Sequence, residues 1–182
     1  YDGTPANFVA DGGKSAQQGF ATSEPYFYEN VLTDWGKPVA YQTIHDAGWT
    51  SYAQTLAAKP ETIVSAADCL KLLVPIIQQA QVDYVADPST TNALILDLVA
   101  QYNNGWMYDA GQADAAVALA LENGLIANSP DGTLGSFDSQ RMDEFLALAI
   151  PIFEGLGEKL KPGLTSADLA TNQFIDPTIA LP

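Results

Sequence analysis

Apolar positions in the second two thirds of the chain recur at helical spacing. From Pro60 onward, Ile63, Ala67, Leu70, Leu73, Val74, Ile77, Ala80 and Tyr84 return every three or four residues, which predicts one long amphipathic helix with Pro60 in its first turn. Pro75 falls inside that stretch and is expected to kink or split it, because the ring removes a backbone donor and crowds the preceding turn. After Asp87-Pro88, Ser89 is placed to cap a second helix carrying Leu94, Ile95, Leu98, Val99 and Tyr102 on one side. A third helix is predicted over about residues 112–123, with Gly124 as its terminating glycine. The cluster Asn128-Ser129-Pro130-Asp131-Gly132 reads as a turn. A fourth helix follows, whose positions Met142, Phe145, Leu146, Ala149, Ile150 and Phe153 form a core face.

Ahead of residue 57 the pattern differs. Residues 7–10, 20–22, 38–44 and 50–57 read as short strands, and a helix is predicted over about residues 24–35. Its start is well marked. Gly19 interrupts the preceding element, Ser23 is a favourable cap for an orphan backbone N–H, and Pro25 fits the first turn at no cost in hydrogen bonds. Free N–H groups and partial positive charge at a helix start make this turn a place for an anionic or carbonyl-bearing ligand, with Tyr26 and Tyr28 flanking it. A plain structural cap accounts for the same residues.

Composition narrows the class. With 47% hydrophobic and 10% aromatic residues the chain is able to bury a core. No apolar run approaches the roughly 18 residues of a membrane span. Seven basic residues against 22 acidic ones leave a net charge of −15, a field that repels nucleic acid and anionic lipid. No nucleic-acid partner is expected. Cys69 is the single cysteine, so an intrachain disulfide is excluded, and its apolar helical context predicts a buried, inert thiol.

Catalytic chemistry finds little support. His45 is the only histidine, which rules out a histidine-rich zinc site and would make it the sole imidazole for any nucleophile triad. Asp46 follows it, but neighbours on a strand face opposite ways. The chain has no GxSxG elbow, no GxxxxGK[ST] loop and no CxxC pair; Asp11-Gly12-Gly13-Lys14-Ser15 lacks the first glycine of a phosphate loop and reads as a turn into a short helix. No enzyme activity, cofactor or metal is expected.

One longer string is more specific. The run Asp2-Gly3-Thr4-Pro5-Ala6-Asn7-Phe8-Val9-Ala10-Asp11, continued through Gln17-Gln18-Gly19 to Thr22-Ser23-Glu24-Pro25-Tyr26, resembles the substrate-binding proteins of ABC importers, in the group that takes thiamine-pyrimidine precursors, riboflavin and small oxyanions. Gly48-Trp49-Thr50-Ser51-Tyr52-Ala53-Gln54-Thr55-Leu56 is similar to that family's segment leading into a crossover strand. Thr165-Ser166-Ala167-Asp168-Leu169 and Thr171-Asn172-Gln173-Phe174-Ile175-Asp176-Pro177 resemble its closing helix start and final docking segment.

The resemblance implies an α/β, two-lobed periplasmic-binding-protein fold of which this chain is the C-terminal part. Residues 1–49 would then belong to the second lobe, 50–57 to a hinge or crossover strand, and 58–182 to the helical part of the first lobe. Implied partners are a small-molecule ligand, an ABC permease and a missing N-terminal portion of the same protein. The implied location is extracytoplasmic, periplasmic or lipid-anchored. In such a cleft Thr22, Ser23 and Glu24 would supply hydrogen bonds, Tyr26 a stacking face and Phe8 an apolar wall, with Trp49 and Tyr52 beside them. Aromatic faces with an acceptor carboxylate suit a flat heterocycle such as an aminopyrimidine or a flavin better than nitrate. Tyr26, Trp49 and Tyr52 serve equally well as core aromatics. Three alternatives stay open: a relative of the pyrimidine-building enzymes that share the family's fold, a binder of nitrate, sulfonate or bicarbonate, and an interaction module without a small ligand.

Overall fold

A computed structural model describes residues 5–182. The elements are α1 (Ala6–Ala10), α2 (Glu24–Tyr26), a π-helical turn (Phe27–Val31), α3 (Pro60–Ser65), α4 (Ala67–Ala86), α5 (Ser89–Tyr102), α6 (Ala110–Glu122), α7 (Ser139–Gly155) and α8 (Ser166–Leu169). They fall into two units. The first gathers the described residues through Gln42 together with Asp87–Ile126, and the second gathers Thr43–Ala86 and Ala127–Pro182.

The expected α/β, two-lobed architecture is not what forms. Among the described residues 49% are helical and none forms a sheet, the β-type pairing being confined to an isolated bridge between Asn128 and Leu134. Residues 7–10 lie in α1, residues 20–22 lead into a turn, and residues 38–44 and 50–57 make no ladder. The reason is visible at residues 50–52. A strand needs a neighbour for its backbone, and here the Thr50 and Ser51 carbonyls accept instead from Arg141 Nε at 3.0 Å and Nη2 at 3.2 Å. Tyr52 is tied by its hydroxyl, which accepts the Asp138 N–H at 2.9 Å. These side-chain tethers satisfy an extended segment without a sheet.

The helices follow their apolar spacing with shifted ends. The helix expected over 24–35 is one α-turn continued by the π-helical turn, closed where the Leu32 N–H donates to the Phe27 carbonyl at 2.9 Å. The long helix starting at Pro60 divides at Ala66 rather than at Pro75, which lies within α4. Ser89 is the first residue of α5 and Pro88 occupies the cap position. Helix α6 starts earlier than its periodicity suggests, because Asp109 caps it by accepting the Gln112 N–H at 2.7 Å. No helix among the described residues is long and apolar enough to cross a membrane.

In the first unit the core is carried by Ala113, Val117 and Ala120 of α6 together with Tyr28, all buried. Phe8 and Trp35 pack against each other with ring centroids 4.9 Å apart, and Phe8 meets Tyr28 edge-on at 5.1 Å. Helices α5 and α6 pack together, and Asn92 Nδ2 donates to Asp114 Oδ1 at 3.3 Å.

In the second unit Leu146 and Ala149 of α7 are buried with Leu134. The turn over 129–132 is held by Asp131, whose carboxylate accepts the Thr133 N–H and the Ser136 hydroxyl, each at 2.9 Å. Those bonds hold the Asp131 carboxyl below its usual range. The predicted stripe of α4 is only partly covered, since its members Leu73 and Ile77 are exposed, as are Leu72 and Ile76 outside it. Cys69 is exposed as well, against expectation. It sits nine positions before the buried Gln78, about two and a half helical turns, and therefore on the opposite side of α4.

Candidate functional site

The seven residues singled out from the sequence divide between the units. Phe8, Thr22, Ser23, Glu24 and Tyr26 belong to the first and Trp49 and Tyr52 to the second. Asp2, Gly3 and Thr4 of the family-like run lie outside the described residues.

Several of these side chains already have structural work. Phe8 is part of the aromatic cluster with Tyr28 and Trp35. Glu24 folds back so that its Oε2 accepts the Phe20 N–H at 2.6 Å, and its methylenes lie against Gly19, where a Cβ would come within 3.0 Å of them. The glycine that breaks the sequence pattern is thus explained by a close approach. Trp49 packs edge-on to Phe145 at 4.9 Å, and Tyr52 packs edge-on to Phe137 at 5.2 Å with the Arg141 guanidinium 4.1 Å from its ring centre.

Ser23 and Tyr26 are brought together with the first turn of α6. The Tyr26 hydroxyl lies so close to Gly111 that a Cβ there would collide with it. The Ser23 hydroxyl meets Gln112 Nε2 at 2.8 Å. Thr22 precedes Ser23 in the same turn. Ser23 makes no side-chain cap bond, and the helix it opens is one α-turn that passes directly into the π-helical turn, so the turn offers an anion only a short, irregular helix start, in contrast to the sequence expectation.

Gln112 is the residue that the sequence reading missed. It is only 3% exposed, and its Oε1 is buried with no hydrogen-bond partner. A hydroxyl both donates and accepts, so either orientation of the amide keeps the Ser23 bond and leaves the other amide atom unpaired. Such a group costs about 1 to 3 kcal/mol unless something pairs with it. Nothing in the local sequence Ala110-Gly111-Gln112-Ala113 marks it, since the contact spans 89 positions.

Around this spot the fixed charge is negative. Asp109 occupies the α6 cap, and Glu24 follows Ser23 directly. His45 is exposed, and no group of three or more His, Cys, Asp or Glu side chains able to hold a metal occurs among the described residues. Compared with protein-family models, curated proteins and solved structures, the chain matches none.

Proposed function

We propose that the chain acts as the solute-binding component of an ABC importer, working outside the cytoplasmic membrane, taking up a small molecule at the Ser23–Tyr26 turn and delivering it to a permease without transforming it. The observation that carries this reading is the convergence of Ser23 and Tyr26, both from the importer-like run, on a buried Gln112 amide with an unpaired atom. The adjoining π-helical turn adds support, because such turns are rare and are found frequently at functional sites. A flat heterocycle suits the Tyr26 ring better than a small anion, which the nearby Asp109 carboxylate and the chain's net charge of −15 would repel.

A thermal-shift panel of riboflavin, an aminopyrimidine, nitrate, taurine and bicarbonate tests it. A ligand at a hundred times its Kd stabilises by about 2.7 kcal/mol, which corresponds to a shift of roughly 5 to 10 °C for a chain of this size. A flat response to all five compounds overturns the proposal.

A second reading, an interaction module with no small ligand, is favoured by the exposed apolar positions of α4 and by Leu94, Leu98 and Tyr102 of α5. It expects association in sizing experiments that no solute alters.

A further inference from the structure

We infer that the second unit carries a groove for an extended peptide, and that residues 172–181 seated in it exchange with the same segment of a second copy of this chain. The inference goes beyond solute binding and is independent of it. After Leu169 the chain forms no helix or strand, and what holds it is recognition of its backbone. Gln78 Nε2 donates to the Asp176 carbonyl at 3.2 Å while its Oε1 accepts the Asp176 N–H at 2.9 Å. Asn128 Nδ2 donates to the Leu181 carbonyl at 3.0 Å, and its Oδ1 accepts the Leu181 N–H at 2.8 Å. Between these two clamps the Leu134 N–H donates to the Ile179 carbonyl at 3.0 Å. Asn172 does the converse at the start of the segment, bonding both the N–H and the carbonyl of Phe137 at 2.8 Å. Side-chain amides thus take the place that a neighbouring strand holds when a peptide adds to a sheet edge.

The segment is fixed in register but buries little surface. No residue from 171 to 182 is buried. An open cavity of about 350 Å³ is lined by Lys71 and Pro75 of α4 and by Gln173, Phe174 and Pro177 of the segment, so the two are not packed flush. Hydrogen bonds worth about 0.5 to 1.5 kcal/mol each, with little apolar area behind them, open locally well below the cost of global unfolding. Whatever refills the groove must present backbone N–H and C=O groups at the spacing of positions 176, 179 and 181. It must also bring an amide for the Phe137 backbone, which the Asn172 of a second copy supplies and an unrelated extended peptide lacks. Exchange keeps every contact and adds only the cost of association. The backbone at Ala170, with φ −137° and ψ 150°, is already extended where the segment leaves α8.

A labelled peptide of residues 171–182 is titrated with the full chain, and Asn172→Ala is placed first in the chain and then in the peptide. In the chain the substitution weakens the resident segment and is expected to raise the peptide's apparent affinity about tenfold; in the peptide it removes the same bonds from the incomer and is expected to lower that affinity about tenfold. Opposite signs are the signature of one groove with two competing occupants. No binding to the Asn172→Ala chain, or a change of the same sign in both, overturns the inference. Concentrated wild type is expected to contain paired chains on sizing, which excess peptide returns to single ones. No pair, or a pair that the peptide leaves intact and that is therefore joined elsewhere, overturns the exchange. Should Asn172→Ala fail to fold, hydrogen exchange on the wild type decides: the Asp176 and Leu181 amides are expected to exchange at least about tenfold faster than those of Leu146 and Ala149 in α7, and exchange in step with them overturns the inference.

Discussion

Gln78 and Asp176 exchange a reciprocal pair of hydrogen bonds across 98 positions of sequence: Gln78 Nε2 donates to the Asp176 carbonyl at 3.2 Å, and Gln78 Oε1 accepts the Asp176 N–H at 2.9 Å. The same Nε2 donates to the Leu134 carbonyl at 2.8 Å. One side chain of α4 thereby docks two separate backbone segments of the second unit. An amide does this well because it carries donor and acceptor in one plane, matching a peptide group.

Gln78→Leu keeps the volume and removes all three bonds. It is expected to cost about 2 to 4 kcal/mol, because buried or half-buried backbone groups lose their partners rather than merely a favourable contact. Urea denaturation gives the stability change, and limited proteolysis should show earlier cutting after residue 170. A loss below about 0.5 kcal/mol would show that the C-terminal segment is held by other contacts.

Gly111→Ala would ordinarily stabilise a helix by about 0.5 to 1 kcal/mol. Here the new methyl meets the Tyr26 hydroxyl. The substitution is expected to destabilise in the wild type and to recover its helix gain in a Tyr26→Phe background, where the oxygen is gone. Thermal melts of the four proteins in this cycle provide the coupling; simple additivity would contradict the close approach.

The Asp168 carboxyl is lowered from its ordinary 3.8 to about 2, first by its hydrogen bond from Lys161 and then by the Thr165 N–H and hydroxyl at 3.0 Å each. A carboxyl with a depressed folded-state value adds stability that is complete above about pH 4 and is lost as pH falls toward about 2. Asp168→Asn is expected to flatten that part of the acid limb in a pH series of thermal melts. Added salt should shrink the difference, since Lys161 is exposed.

Arg141→Lys keeps the charge but loses the planar fork that reaches the Thr50 and Ser51 carbonyls and covers the Tyr52 ring. A loss of about 1 to 2 kcal/mol is expected, with faster amide exchange in residues 50–52. Equal stability of the two proteins would mean that this extended segment does not depend on its guanidinium tether.

Much of the helical content was legible in the sequence. The 3.6-residue spacing of Met142, Phe145, Leu146, Ala149 and Ile150 marked α7, where Leu146 and Ala149 are buried, and the cluster ending in Asp131-Gly132 marked its turn. The strands failed for a physical reason. Apolar alternation states only that a segment would suit a sheet, whereas a ladder needs a second backbone at hydrogen-bonding distance. Residues 50–52 found Arg141 and the Asp138 N–H instead.

The candidate site divides along the same line. Local chemistry around Gly19, Ser23 and Pro25 determined that a turn and a helix start occur there, and the pattern of charges determined a strongly acidic chain, because both depend on near neighbours or on simple sums. Only the tertiary structure decided that Glu24 closes its own turn, that Phe8 and Tyr52 are packing residues, and that Gln112 stands behind Ser23 with an amide atom unpaired. Contacts spanning tens of positions leave no periodic or motif signal, since each partner satisfies its own local rules equally well without the other.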